Sequence, residues 1–238
     1  MAESASDIPQ SAIRNPQSHL PIDWGVYLVT DRGQTQGRDL VEVVAAALNG
    51  GMRAVQLREK DLDTHELYRL AERLLAVTRA RDAALLINDR VDVALALDAD
   101  GVHLTRKSLP PHEARQLLGP RKLLGISCHS LDEVREAAEA PVDFLVFGPI
   151  HATPSKARYG APLGLERLRE ARAATRLPLF AIGGITLARV SEVLAAGADG
   201  VALISAVMAA PDPCAAAGDL MAAIKAAPPC GSSLTATT

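Results

Sequence analysis

The chain has no surplus of positive charge, no cluster of cysteines and no long apolar run, and each absence removes a class of protein. Its 25 Lys and Arg stand against 28 Asp and Glu, a formal net charge of −3. A surface built to attract nucleic acid or anionic membrane over a broad area needs the opposite balance, so any affinity for phosphate has to come from local clusters. The three cysteines, Cys128, Cys214 and Cys230, are odd in number, widely spaced and without CxxC or Cys/His metal spacing. A reducing cytoplasm suits them best. No apolar run approaches the ~18–20 residues of a membrane span. The N-terminal MAESASDIPQSAIRNPQSHLP lacks the apolar centre of a secretory signal. Residues 1–22 and 228–238 are expected to be flexible ends on one domain spanning 23–227. With 48% hydrophobic residues, that domain has ample material for a core.

What is present is a period. Short runs rich in Val, Ile and Leu alternate with Ala/Leu/Glu/Arg segments of helical character, eight pairs between residues 25 and 226. Strands are expected at 25–30, 53–58, 84–88, 100–104, 123–127, 142–148, 177–182 and 199–204. Helices are expected at 39–49, 64–81, 90–97, 110–117, 130–139, 164–175, 186–196 and 213–226. Asp39, Thr64, Ser130 and Thr186 are candidate N-caps, and Gly50, Gly119 and Gly197 follow helix ends. ADGVHL at 99–104 recurs as ADGVAL at 198–203, an echo expected when strands four and eight hold equivalent places. Eight βα units in this length predict an α/β fold of one (β/α)8 TIM barrel. An open doubly wound sheet is the alternative, but strand one is followed by TDRGQTQGRD, which has neither GxGxxG spacing nor a GK[ST] ending.

Barrel chemistry sits where strands end. In AVQLREKD, residues 54–61, alternation puts Gln56, Arg58 and Lys60 on one face and Val55, Leu57 and Glu59 on the other. The first three can rise from the interior to the mouth and converge on an anion; the alternative is a solvated strand end. Gly183-Gly184 after strand seven and Ile204-Ser205 after strand eight offer backbone amides to a phosphate, or the glycines only permit a tight turn. The long junction 148–164, with Thr153, Ser155 and Lys156, has the make-up of an active-site flap. Asp89, between Asn88 and Arg90, can bind Mg2+ or cap the next helix. His129 can serve as acid or base, or simply hydrogen bond at a helix start.

Taken in order, YLVTDR, VQLREKDL, LLINDRVDVAL, DGVHL, GISCHSLDE, FGPI followed by TPSK, PLGLE, AIGGIT and GADGVALISA resemble the thiamine phosphate synthase family and its relative, the thiazole tautomerase. The resemblance runs over nearly all of 25–210. It implies a transferase that joins 4-amino-5-hydroxymethyl-2-methylpyrimidine diphosphate to a thiazole phosphate, forming thiamine phosphate and pyrophosphate. Its implied ligands are small molecules, with neither nucleic acid nor membrane as partner, and a homo-oligomer is compatible with it. Gln56, Arg58, Lys60, Asn88, Ser127 and Lys156 would hold the pyrimidine diphosphate, with Arg58, Lys156 and Ser127 as the catalytic set. Asp89 would bind Mg2+, while Thr153 to Ser155, Gly184, Ile204 and Ser205 would hold the thiazole phosphate. One position departs from the pattern. The family's second magnesium carboxylate falls at Ser108, in Thr105-Arg106-Lys107-Ser108-Leu109-Pro110. The tautomerase, which needs neither diphosphate nor metal and would use His129 as its acid/base, is the other reading, and a non-catalytic phosphate-binding barrel a third.

Overall fold

The computed structural model describes residues 22–153 and 161–227. Eight parallel strands close into a barrel in sequence order, with β1 (Val26–Val29) pairing β8 (Gly200–Leu203) through Tyr27 opposite Ala202. Between them lie β2 (Ala54–Leu57), β3 (Ala84–Asn88), β4 (Gly101–Leu104), β5 (Leu123–Cys128), β6 (Phe144–Phe147) and β7 (Leu179–Ile182). The helices are α1 (Leu40–Asn49), α2 (Thr64–Arg79), α3 (Val91–Ala96), α4 (Pro111–Leu118), α5 (Leu131–Ala138), α6 (Gly164–Ala174), α7 (Val190–Ala195), α8 (Ser205–Met208) and α9 (Pro213–Ala226). Every expected strand and helix is found, and the eight-stranded barrel is the architecture that the period predicts. Two short pieces were not anticipated, α8, which intervenes before the last helix, and a 3-10 turn at Arg32–Gln34, and the helix expected at 186–196 opens as a 3-10 turn at Leu187–Arg189.

Two N-caps differ from expectation, and one of them, Thr186, makes no side-chain cap bond. Asp63, not Thr64, caps α2, accepting from Glu66 N at 2.8 Å while the Glu66 carboxylate accepts from Asp63 N at 3.2 Å. Asp63 and Glu66 each accept from the other's amide, the reciprocal pair of a capping box, which leaves Thr64 inside the helix. Gly50 ends α1 with φ of −74°, so left-handed backbone is not what demands glycine there. A Cβ would come within 2.3 Å of the Cys214 carbonyl, so the demand is close packing of α1 on α9.

The chain carries few aromatics, and four of them, Trp24, Tyr27, Phe144 and Phe180, meet inside the barrel with ring centroids 5.4–6.2 Å apart. Edge-to-face pairs such as Tyr27 on Phe144 fill the interior densely. A second, larger apolar layer lies between strands and helices, and includes Val26, Leu28, Val55 and Leu57. Strand alternation divides the two layers: Tyr27, Ala54, Leu86, Phe144 and Ala202 face in, and their neighbours face the helices.

The hexapeptide echo has a structural reason. Asp100 and Asp199, each just before a strand, accept from the amide of the preceding strand, Leu85 N and Leu179 N, both at 2.8 Å. Asp143 before β6 repeats the device on Leu124 N at 2.6 Å. Arg115 and Arg172 add ion pairs to Asp143 and Asp199 at 2.8 and 2.6 Å. Closing the lower rim of alternate strands is what the repeated acidic residue does. The glycine after it in the echo is equally constrained, because a Cβ on Gly101 would meet the Leu123 carbonyl at 2.2 Å.

Candidate active site

The opposite rim collects the polar residues. Strand β2 ends at Leu57, and Gln56 is its last inward-facing side chain, buried and donating from Nε2 to the Tyr27 hydroxyl at 3.2 Å. Arg58 follows, half-buried, with its amide donating to Thr30 Oγ1 at 2.9 Å. Lys60 stands exposed on the following turn, past the point where alternation sets direction. Between them, Glu59 is buried instead of solvated. Its carboxylate accepts from Thr30 Oγ1 at 2.7 Å and from Arg32 N at 3.1 and 3.2 Å, and the Arg32 guanidinium lies 3.5 Å away. Burial raises its pKa, partly offset by these donors. Glu59 ties the ends of β1 and β2 together, a role that residue alternation gave no reason to expect.

At the end of β3, Asn88 donates from Nδ2 to Asp89 Oδ2 at 2.8 Å, while its buried Oδ1 has no hydrogen-bond partner among the described residues. Asp89 has φ of +62°, a left-handed conformation that aspartate tolerates better than most residues. Its Oδ1 accepts from Thr105 Oγ1 at 3.1 Å and from the Ser108 hydroxyl, and Ser108 Oγ in turn accepts from Thr105 N at 2.6 Å. Asp89 does not cap α3, whose N-cap position is Arg90 and which has no side-chain cap bond. That excludes one of its two sequence readings and leaves its carboxylate at the mouth.

The residue that joins these strands is one to which the sequence assigned no role. His103 on β4 is buried, with Nε2 2.9 Å from Ser127 Oγ on β5 and Nδ1 3.5 Å from the Tyr27 hydroxyl. Burial pushes its pKa down to about 3, with the Asp89 charge raising it and the Arg58 charge lowering it. The one available signal was position: histidine is an unusual choice at the centre of GVHL, where alternation with Gly101 and Leu104 fixes whether it faces in or out. A group neutral when folded but titrating near 6.5 when unfolded binds more protons in the unfolded state. Stability therefore falls as pH drops from about 6.5 toward 3, by up to about 1.4 kcal/mol per pH unit. Replacing His103 by Gln is expected to flatten the acid limb of a urea midpoint against pH curve; an unchanged limb would show that His103 does not drive it.

His129 is exposed, with Nδ1 2.5 Å from the Gly148 carbonyl and its amide donating to Glu133 Oε2 at 2.6 Å. An Nδ1–H held by a carbonyl leaves the lone pair on Nε2. On the far side, the segment after β6 runs along β7: Ile150 N donates to Ile182 O at 2.8 Å and His151 N to Gly183 O at 3.0 Å. Gly183 and Gly184 have φ of +101° and +62°, and a Cβ on Gly184 would meet the Ala152 carbonyl at 2.6 Å. The glycine pair is needed for this close approach as well as for its turn. Thr153 is half-buried at the edge of the described segment; Ser155 and Lys156 lie outside the described residues. Ile204 precedes α8, whose first amides, beginning with Ser205, have no acceptor one turn earlier within the helix.

Gln56, Arg58, Asn88, Asp89 and Ser127 are thus brought to one mouth, with Gly184, Ile204 and Ser205 just after strands seven and eight at the same rim. The fold and this rim define a (β/α)8-barrel enzyme with its polar site at the carboxyl ends of the strands. The thiamine monophosphate synthase family model matches residues 26–207. The chain belongs to that family. It is 50% identical over 192 residues to the thiamine-phosphate synthase of Albidiferax ferrireducens, covering 81% of this chain and 88% of that one. It is 45% identical over 213 residues to that of Roseiflexus castenholzii, covering 88% and 92%. Among solved structures, the thiamine phosphate pyrophosphorylase from Pyrococcus furiosus superposes with a TM-score of 0.77 at 39% identity, covering 85% of this chain and 96% of that one. A 3-hexulose-6-phosphate synthase structure, 20% identical with a TM-score of 0.62, shares the fold alone.

Proposed function

We propose that this chain is a thiamine-phosphate synthase, a transferase that joins the methylene of an aminopyrimidine diphosphate to the nitrogen of a thiazole phosphate and releases pyrophosphate. One observation carries the reading: the buried His103 on β4 is hydrogen bonded to Ser127 on β5 and, through Tyr27, to Gln56 on β2 at a single mouth, within a chain of this family. No helix among the described residues is long and apolar enough to cross a membrane, which accords with small, charged substrates met in water.

The chemistry is ionisation. The methylene carbon–oxygen bond breaks with its electron pair leaving on the diphosphate, and the thiazole nitrogen lone pair forms the new carbon–nitrogen bond. What this needs from the protein is positive charge on the departing oxygens, a dry site and alignment of the nucleophile. Arg58 at the mouth supplies the first, and Lys156 from the segment after Thr153 is assigned the same task. Ser127 and Asn88 orient the pyrimidine, and the amides around Gly184, Ile204 and Ser205 grip the thiazole phosphate.

A divalent metal fits this rim only as a partial site. Asp89 offers a carboxylate and Ser108 beside it a hydroxyl, and no group of three or more His, Cys, Asp or Glu side chains among the described residues could hold an ion. Asp89 would hold Mg2+ together with substrate oxygens and water, and the ion would neutralise charge building on the leaving group. The Ser108→Asp variant places a second carboxylate against Asp89. Less Mg2+ is then expected for half-maximal rate, and the metal-free variant is expected to melt below wild type because two adjacent carboxylates repel. An unchanged Mg2+ requirement with an unchanged melting point in chelator would remove Ser108 from the metal site.

The direct test is to incubate purified chain with both phosphorylated halves and Mg2+, and follow thiamine phosphate and pyrophosphate in equal amounts. Absence of both products, with the folded protein verified, would overturn the assignment.

A further inference from the structure

Gln56, Tyr27, His103 and Ser127 form a buried hydrogen-bonded chain from β2 through β1 and β4 to β5. We propose that this chain is a positioning relay whose direction makes the site select an amino-pyrimidine over its oxo counterpart. The inference rests on the synthase reading and deepens it.

A neutral imidazole carries one N–H and one lone pair, so a chain passing through it has two self-consistent directions. In the structure, Gln56 Nε2 donates to the Tyr27 oxygen. Tyr27 then sends its own hydrogen to His103 Nδ1, His103 carries its proton on Nε2, and Nε2–H donates to Ser127 Oγ. Ser127 is left with its O–H to give away, and the Gln56 carbonyl oxygen is turned from Tyr27. Asn88 Oδ1, on the strand between, is a buried acceptor with no partner among the described residues. The mouth therefore offers one donor and two acceptors. A 4-aminopyrimidine presents the complement, a ring nitrogen lone pair beside an N–H2 group. An oxo-pyrimidine presents a carbonyl beside a ring N–H, and meets acceptors where it needs donors. Reversing the relay would require Gln56 to turn its amide, His103 to shift its proton and Ser127 to donate inward, all together.

His103 is suited to the part because it is buried with one partner at each ring nitrogen, Tyr27 at Nδ1 and Ser127 at Nε2. A protonated ring would donate at both nitrogens and erase the direction. Tyr27 is held by Trp24, Phe144 and Phe180 on its ring, so its hydroxyl has a fixed place between its two partners. Tyr27 and His103 reach the ligand only through Gln56 and Ser127.

The Tyr27→Phe variant keeps the ring packing and cuts the relay. Calorimetry with three ligands reads the result: the aminopyrimidine diphosphate, its 4-oxo analogue and inorganic pyrophosphate. Wild type is expected to prefer the amino compound by about 100-fold or more, since the wrong ligand leaves buried polar groups unpaired. In Tyr27→Phe that ratio is expected to fall about tenfold, with pyrophosphate affinity unchanged. Equal weakening of all three ligands, or an unchanged ratio, would overturn the relay. Nitrogen-15 spectra of unaltered protein test the direction without any variant: His103 is expected as the Nε2–H form across pH 6–8, and an Nδ1–H or charged ring would sink the proposal. Failure of the synthase reading shows separately, as a wild type that binds neither pyrimidine and makes no product.

Discussion

Replacing Asp89 by Asn is expected to lower turnover by roughly two to three powers of ten. The substitution keeps size, and asparagine tolerates the left-handed backbone at this position, so the fold is expected to survive. What goes is the one negative charge at the centre of the Asn88, Thr105 and Ser108 hydrogen bonds. If Asp89 anchors the ion that neutralises the leaving diphosphate, losing it costs a few kcal/mol of barrier, at about 1.4 kcal/mol per tenfold in rate. The effect is expected to be partly relieved by raising Mg2+, since substrate oxygens supply the remaining ligands. A variant within threefold of wild type at limiting Mg2+ would remove Asp89 from the metal role.

The largest effect on stability is expected at Asp143. Its carboxylate is inaccessible to solvent and accepts from Leu124 N at 2.6 Å and from the Arg115 guanidinium at 2.8 Å. Arg115 is itself only 12% exposed and also donates to the carbonyls of Pro141, Gly119 and Lys122. Removing the carboxylate strands a buried cation and a strand amide together. Breaking a buried pair from one side costs about 3–5 kcal/mol, readable as a lower urea midpoint at constant slope. Asp143→Asn retains an acceptor for Leu124 N and is expected to lose less than Asp143→Ala. A loss below about 1 kcal/mol in the alanine variant would show that the rim does not depend on this pair.

Parts of the fold are legible in the sequence and parts are not. The barrel was readable because each strand is a short β-branched or leucine-rich run and each helix an amphipathic one, so the period is written locally. Asp39 and Ser130 were readable as caps because a cap acts on amides two or three residues away. The mistaken choice of Thr64 over Asp63 came from two capping residues side by side, where only backbone geometry decides. Gly50 ends α1 as its place in the sequence suggests, but the reason for glycine there, the close approach of α9 some 165 residues later in the chain, is not written locally.

The site divides in the same way. The sequence by itself determined the eight-unit barrel, and with it that Gln56, Arg58, Asn88, Asp89 and Ser127 fall at strand ends; family resemblance gave them their expected ligands. Only the tertiary structure decided that Glu59 is a buried brace, that Asp89 is bound by Thr105 and Ser108 and does not cap α3, and that His103 links four strands through the interior. The physical reason is range. Alternation and capping act over a few residues, so sequence records them. Apart from Asn88, the side-chain partners of Glu59, Asp89 and His103 lie 16 to 76 residues away, and become neighbours only when the barrel closes.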